Sequence, residues 1–300
     1  MDVTTGPRAL GRVAVGVDGS PSARTAVLWA AAEAALRGSS LCLVHATDTD
    51  GLNPALFRSE IDHGRRTGRE LLDRTAEAVA ARHPGLLVVQ ELSGAPPPAG
   101  LLGAAALSGT IVVGHRGLGG FSSLLLGSVG LEVAAAATIP VVVVRGTTEP
   151  SDDRVVLAAV RDENDLGCAL AAAREAALRK APLRLLHVWG TGPGAGSRTE
   201  RRKGDEQSAH AHVHPMTVLA DRVQEDFPEL TVHCDGEKSR SVPGTLVEAT
   251  HGAALLVVGG RRSPGYLGPT LGRTTLTLLQ HAHCPVELIP RHGPGHGSTS

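Results

Sequence analysis

Aromatic residues are nearly missing from this chain. Phe, Trp and Tyr together make up 2% of its 300 residues. Leu, Val and Ala must therefore build the core, which suits helices laid on both faces of a parallel sheet. Excess charge is missing too: the formal net charge is −1, and nothing in that balance argues for a nucleic-acid or polyanion partner. The one basic run, Arg201-Arg202-Lys203, is followed by Asp205 and Glu206 and reads as a solvated loop. Paired cysteines are absent. Cys42, Cys168, Cys234 and Cys284 lie far apart with no CxxC, which predicts buried or idle thiols in place of bridges or zinc ligands. The opening residues lack a basic stretch leading into a long apolar one, so the expectation is a cytoplasmic chain. A clean membrane span is missing as well. Leu124 to Val144 is apolar but is interrupted by Gly127, Ser128, Glu132, Thr138 and Pro140; it reads as a helix followed by a buried strand, with no membrane crossing expected.

What is present is a globular profile, 42% apolar and 20% charged, at a length that suits two domains. The chain also repeats itself. IVVGHRGLGGFSSLLLGSVGLEVAAAATIPVVVV, from Ile111, aligns without a gap on LVVGGRRSPGYLGPTLGRTTLTLLQHAHCPVELI, from Leu256, at a constant offset of 145. Gly114 falls on Gly259, Gly127 on Gly272 and Pro140 on Pro285. VAVGVDGS, from Val13, falls on VLAAVRDE, from Val156, and LCLVHA, from Leu41, on LRLLHV, from Leu183. This is the duplication of one domain. The polar stretch GTTEPSDD separates the copies, giving domains at 10–145 and 153–290.

In the first copy the pattern predicts strands at Arg12–Val17, Leu41–Ala46, Leu86–Leu92, Thr110–Val113 and Val141–Arg145. Helices are expected at Ser20–Arg37, Glu60–Arg82, Ala99–Leu107 and Leu126–Ala137, with Thr47–Phe57 and Gly114–Ser123 as loops. The second copy should repeat the plan, with strands near Val155–Val160, Leu183–Val188, Thr231–Cys234, Leu255–Val258 and Val286–Ile289. Strands alternating with helices predict an α/β fold: two tandem doubly wound domains, each a five-stranded parallel sheet.

One constellation carries chemistry. Gly114-x-x-Gly117, nine residues, then Gly127-Ser128 follows a strand and runs into a helix. Gly114 lets the chain turn with no Cβ in the way. Gly117 lets backbone N–H groups approach an anion. Gly127 and Ser128 open a helix whose free N–H groups and dipole favour a phosphate. Asp18 ends the first strand; if strands one and four are neighbours, it faces the same crevice. The motif is neither GxxxxGK[ST] nor a GxGxxG after the first strand. A plainly structural reading stands beside this one, since glycines after strands are ordinary turn residues and Asp18-Gly19-Ser20 is also a fair helix cap.

VGVDGSPSA, LVHA, VVGHRGLGGFSSLLLGSV and IPVVVVR closely resemble the universal stress protein family, over most of 10–145 and more weakly over 153–290. The resemblance implies an adenine nucleotide alpha hydrolase-like fold and, in the family's ATP-binding branch, ATP with Mg2+ held through this motif. Carried over by position, Asp18 and Ala46 would line the adenosine. Gly114, Arg116, Gly117, Gly127, Ser128 and Val129 would hold ribose and phosphates. The resemblance also implies that the last strands pair, making the two halves an intramolecular pseudo-dimer that leaves room for a homodimer.

The second copy departs from the pattern. Asp18 is replaced by Arg161, Gly117 by Arg262 and Ser128 by Arg273, with Val188 at the Ala46 position. The expectation is one ATP site, in the first half, although three arginines near one crevice could also draw an anion. The fourteen histidines raise the question of metal. His210, His212 and His214 run into Pro215 and read as a linker with no dedicated metal site. His45 and His187 recur at the end of strand two and read as structural. With no GxSxG, HExxH or evident general base, the expected function is a regulatory nucleotide-binding protein in a stress or dormancy response. It would act on an unknown regulatory protein partner and hydrolyse ATP slowly at most. The alternatives are a nucleotide hydrolase, disfavoured by VDGSPSA where such enzymes carry SGGxDS, and a non-catalytic adaptor.

Overall fold

The computed structural model describes residues 11–104, 108–117, 126–145, 154–190, 215–260 and 271–290. The chain divides into two units, Met1–Val144 and Arg145–Ser300. The first unit runs β1 (Arg12–Gly16), α1 (Pro21–Leu36), β2 (Leu41–Ala46), α2 (Pro54–Arg82), β3 (Val88–Ser93), α3 (Pro97–Ala104), β4 (Ser108–Gly114), α4 (Ser128–Ala136) and β5 (Val141–Val144). Its strand order is β3-β2-β1-β4-β5, with all neighbours parallel. Val13 to Val15, Ile111 to Val113 and Val141 to Val144 are buried without a break. Successive strand residues point to opposite faces, so an unbroken buried run means that both faces are covered.

Small residues set the packing of α1. Ser20 caps it, accepting from Ala23 N–H at 3.1 Å, and Pro21 opens the first turn. Ala26, Ala30, Ala31 and Ala34 are fully buried, which lets the helix lie close on the sheet. α2 begins at Pro54, earlier than the Glu60 expected from sequence. Asn53-Pro54 had the look of a loop, but Asn53 accepts from Ala55 N–H at 3.0 Å and Pro54 takes the position where no N–H is needed. A kink at Phe57 (φ −120, ψ 25) follows.

The second unit runs β6 (Val155–Ala159), a 3-10 turn (Glu163–Asp165), α5 (Leu166–Arg179), β7 (Leu183–Gly190), α6 (215–226), β8 (Val232–Ser239), α7 (Val242–Ala249), β9 (Ala253–Gly259), α8 (Arg273–His281) and β10 (Val286–Ile289). Its order, β8-β7-β6-β9-β10, repeats the first. β8 outruns its expected end at Cys234 and stays paired with β7 as far as Gly190↔Ser239. Its outer half, DGEKS, has no apolar alternation because this edge strand is exposed almost throughout. Among the described residues no helix is long and apolar enough to cross a membrane.

A clasp not anticipated from sequence recurs at the far end of the first helix of each unit. The pentapeptide EAALR occurs at Glu33–Arg37 and again at Glu175–Arg179. In the first unit Arg37 Nε donates to Glu33 Oε1 at 2.6 Å and Nη1 to Thr110 Oγ1 at 2.8 Å, which ties α1 to β4. Both charged side chains are almost wholly buried, at 2% and 3% exposure. In the second unit Arg179 Nη1 pairs with Glu175 Oε2 and also donates to the Glu175 carbonyl at 3.2 Å.

Arg37→Ala would strand the Glu33 carboxylate in the core and is expected to destabilise the first unit by about 3–5 kcal/mol. The double variant Glu33→Leu/Arg37→Met, which removes both charges, should lose much less; denaturant unfolding of the two variants against the parent checks this. The cysteines give a second expectation. Cys42, Cys168 and Cys284 are buried and Cys234 is exposed. Burial pushes the Cys284 thiol up to about 12 and raises Cys168 too, with Asp165 and Glu287 adding to the rise. Cys234 is also raised, by partial burial and then by Asp235 and Asp221. A thiol reagent at pH 8 should modify Cys234 alone in the native protein. It should do so slowly, and faster as pH climbs and the thiolate forms.

Candidate functional site

In the first unit β1 has β2 on one side and β4 on the other, so strand order reverses at the carboxyl ends of β1 and β4. That is where an open parallel sheet leaves a crevice. Asp18 stands just past β1. Its Oδ1 accepts Ser20 N–H at 2.9 Å, and Gly19 between them takes a φ of +83 that disfavours any side chain. From the other strand comes Gly117, so near that a Cβ placed on it would stand 2.7 Å from Asp18 Oδ2. The structure therefore brings Asp18 and Gly117 together. Ala46 ends β2; carrying the rung Gly16↔Val44 two residues further puts it level with Asp18.

Gly114 serves another purpose than the turn expected of it. A Cβ there would strike the first turn of α1, 2.6 Å from Ser22 Oγ and 2.8 Å from the Ser22 carbonyl carbon. Its bareness lets β4 close on the helix. Once this close, two serines hold the start of the loop. Ser22 Oγ accepts Arg116 N–H at 3.1 Å and lies 3.1 Å from His115 Nδ1. Ser20 Oγ donates to the Arg116 carbonyl at 3.4 Å. Ser20, Ser22 and His115 were given no such part from sequence, and a Ser-Pro-Ser at a helix start would have been the signal.

The loop returns to the crevice at Gly127, whose N–H donates to the His115 carbonyl at 2.9 Å. Gly127 caps α4 with extended backbone and no side-chain bond. The first intrahelical bond is Leu131 N–H to Gly127 O at 3.0 Å, so the N–H groups of Ser128, Val129 and Gly130 have no acceptor within the helix. Ser128 is exposed and Val129 half-buried. Arg116 is half-buried, and it is its backbone that the two serines grip. Residues 118–125 of the loop lie outside the described residues.

The second unit answers differently at the same places. Arg161 follows β6, and both its backbone N–H and its guanidinium bond Asp165, at 2.9 Å and 3.0 Å. Burial pushes the Asp165 carboxyl above its ordinary range, and Arg161 pulls it back. One of the three arginines weighed as an anion trap is thus engaged within its own unit. Gly272 keeps the backbone of Gly127 almost unchanged (φ −68, ψ 155 against φ −67, ψ 153), but Arg273 sets a positive charge at the positive end of α8. Arg262 lies outside the described residues, as do His210, His212 and His214.

The recurring histidines are structural. His45 Nδ1 donates to the Val17 carbonyl at 2.7 Å, and His187 Nδ1 to the Val160 carbonyl at 2.9 Å. Among the described residues no cluster of three or more His, Cys, Asp or Glu could hold a metal ion.

Set beside known proteins, residues 10–145 and 153–290 each match the model of the universal stress protein family. A universal stress protein of Mycolicibacterium smegmatis is 29% identical, covering 92% of this chain and 96% of its own. One from Mycobacterium tuberculosis is 30% identical, covering 95% and 97%. The crystal structure of a universal stress protein from Archaeoglobus fulgidus superposes with a TM-score of 0.69 at 17% identity, over 95% of this chain and all of that one.

The two glycines of the loop should behave unlike each other. Gly114→Ala is expected to destabilise the first unit by about 1–3 kcal/mol through overpacking. Gly127→Ala, whose Cβ would find its nearest neighbours at 3.7 Å, should cost under about 1 kcal/mol. Thermal melts without ligand separate the two.

Proposed function

Because the chain belongs to the universal stress protein family, we propose that its first unit binds ATP with Mg2+ at the β1–β4 crevice. Occupancy of this one site would serve a regulatory role in a stress or dormancy response, read by a partner protein. The meeting of Asp18 with Gly117 carries the proposal. A bare backbone lies against a carboxylate, in space that a side chain would fill. On this reading Asp18 and the backbone of Ala46 receive the adenosine. The phosphates lie along Gly114, Arg116 and Gly117 and against the open N–H groups of Ser128 and Val129 at the start of α4. Mg2+ would neutralise phosphate charge, with Asp18 the carboxylate at hand.

A binding role suits the local bonding better than catalysis. The Ser20 and Ser22 hydroxyls grip the Arg116 peptide, and Asp18 Oδ1 closes the Asp18–Ser20 turn. Slow hydrolysis is the most this arrangement favours. The second unit, with Arg161 committed to Asp165 and Arg273 at the helix start, is proposed to bind no ATP.

Calorimetric titration of MgATP into the intact chain should give one site per chain. Gly117→Arg, which sets a side chain against Asp18, should abolish it. Two sites in the parent would overturn the asymmetry, and no site would overturn the ATP reading.

A further inference from the structure

α2 carries Arg58, Arg65 and Arg69 at i, i+7 and i+11, a spacing that keeps them on one helix face. Gly68 brings that helix down onto the ends of β2 and β3: a Cβ on it would stand 2.7 Å from both His45 Cδ2 and Leu92 Cδ1. The neighbouring arginines are thereby set beside the carboxyl ends of β2 and β3. Two cavities, of about 240 and 260 Å³, open there and share Asp50 and Arg65 in their walls. Arg58 lines one, and Arg69 lines the other with Thr47 and Ser93.

The charges in these walls are uncommitted. Arg37, Arg161, Arg179, Arg184 and Arg222 each hold a carboxylate. Arg58, Arg65 and Arg69 make no ion pair or hydrogen bond among the described residues. Asp50 and Asp62 share the walls without pairing to them, and Asp50 Oδ1 lies over Gly94, in space a Cβ there would fill. Three cations therefore face two anions. On the floor, Thr47 Oγ1 donates to the Ser93 carbonyl at 3.2 Å. Ser93 Oγ accepts Ala95 N–H at 3.2 Å and is turned toward α3, 3.0 Å from where a Cβ on Gly100 would stand. Guanidinium forks on one helix face match the oxygens of a phosphoryl group.

We infer that this cleft is a second anion site, separate from the β1–β4 crevice, and that it takes a phosphoryl group. The group is that of a free phosphate or pyrophosphate; service to the nucleotide of the first site is the competing reading that the test rejects or upholds. Pyrophosphate and MgATP, titrated separately by calorimetry at low salt, distinguish the two. Pyrophosphate should bind the intact chain, and its affinity should fall about tenfold or more in Arg65→Ala/Arg69→Ala. It should hold in Gly117→Arg and in Arg66→Ala/Arg74→Ala, a control pair on the same helix away from the cavities. MgATP affinity should be unchanged in Arg65→Ala/Arg69→Ala, whose melt should match the parent because both side chains are exposed. Failure of the intact chain to bind pyrophosphate overturns the site. So does an equal loss in the control pair, or a loss in Gly117→Arg. Loss of MgATP but not pyrophosphate in Arg65→Ala/Arg69→Ala would give the arginines to the nucleotide and end the separate site. Pyrophosphate binding of the expected pattern without MgATP binding would leave this site standing and remove the ATP reading alone.

Discussion

The geometry of the first unit's crevice rests on how closely β4 lies against the first turn of α1. At Gly114 the strand reaches the helix backbone itself, a contact any side chain would forbid. That approach puts Arg116 within reach of two serines whose other task is to begin the helix. Ser20 caps α1 and also touches the loop, so helix start and loop start are fixed by the same atoms. Gly117 is then delivered to Asp18, and the His115 carbonyl to the Gly127 N–H that opens α4. Loosening the first contact would misplace each later one.

Most of the fold was legible because a parallel sheet covered on both faces writes its strands as apolar runs. VAV, IVV and VVVV can hardly be anything else. What escaped was structure decided by partners far away in sequence. β8 is a strand past Cys234 because β7 offers it backbone bonds, although DGEKS carries no pattern of its own. The start of α2 escaped for a nearer reason: Asn-Pro serves loops and helix entries alike, and only the Asn53 hydrogen bond decides between them.

The site was legible in part. Asp18, Gly117 and Gly127 could be named from spacing, and the adjacency of β1 and β4 brings them to one place. The reason for Gly114 is not legible locally, since a glycine required for close packing looks the same in sequence as one required for a turn. The serine grip spans some ninety residues and could not be seen locally. Conversely, the repeated EAALR was in plain view, and it needed only the knowledge that an (i, i+4) acid–base pair can be buried as well as solvated.

The buried clasp of Glu33 with Arg37 reaches Thr110, at the amino end of β4, whereas the crevice lies at the carboxyl end. Each unit holds its own copy of the clasp. Clasp and crevice therefore lie at opposite poles of the same strands, and a duplicated domain can rewrite one pole while inheriting the other. The second unit bears the marks of that freedom: an arginine where the first has Asp18, on a sheet whose order has not changed. For anyone reshaping this chain, the carboxyl-end loops are the variable text and the helix ends beneath them the binding of the book.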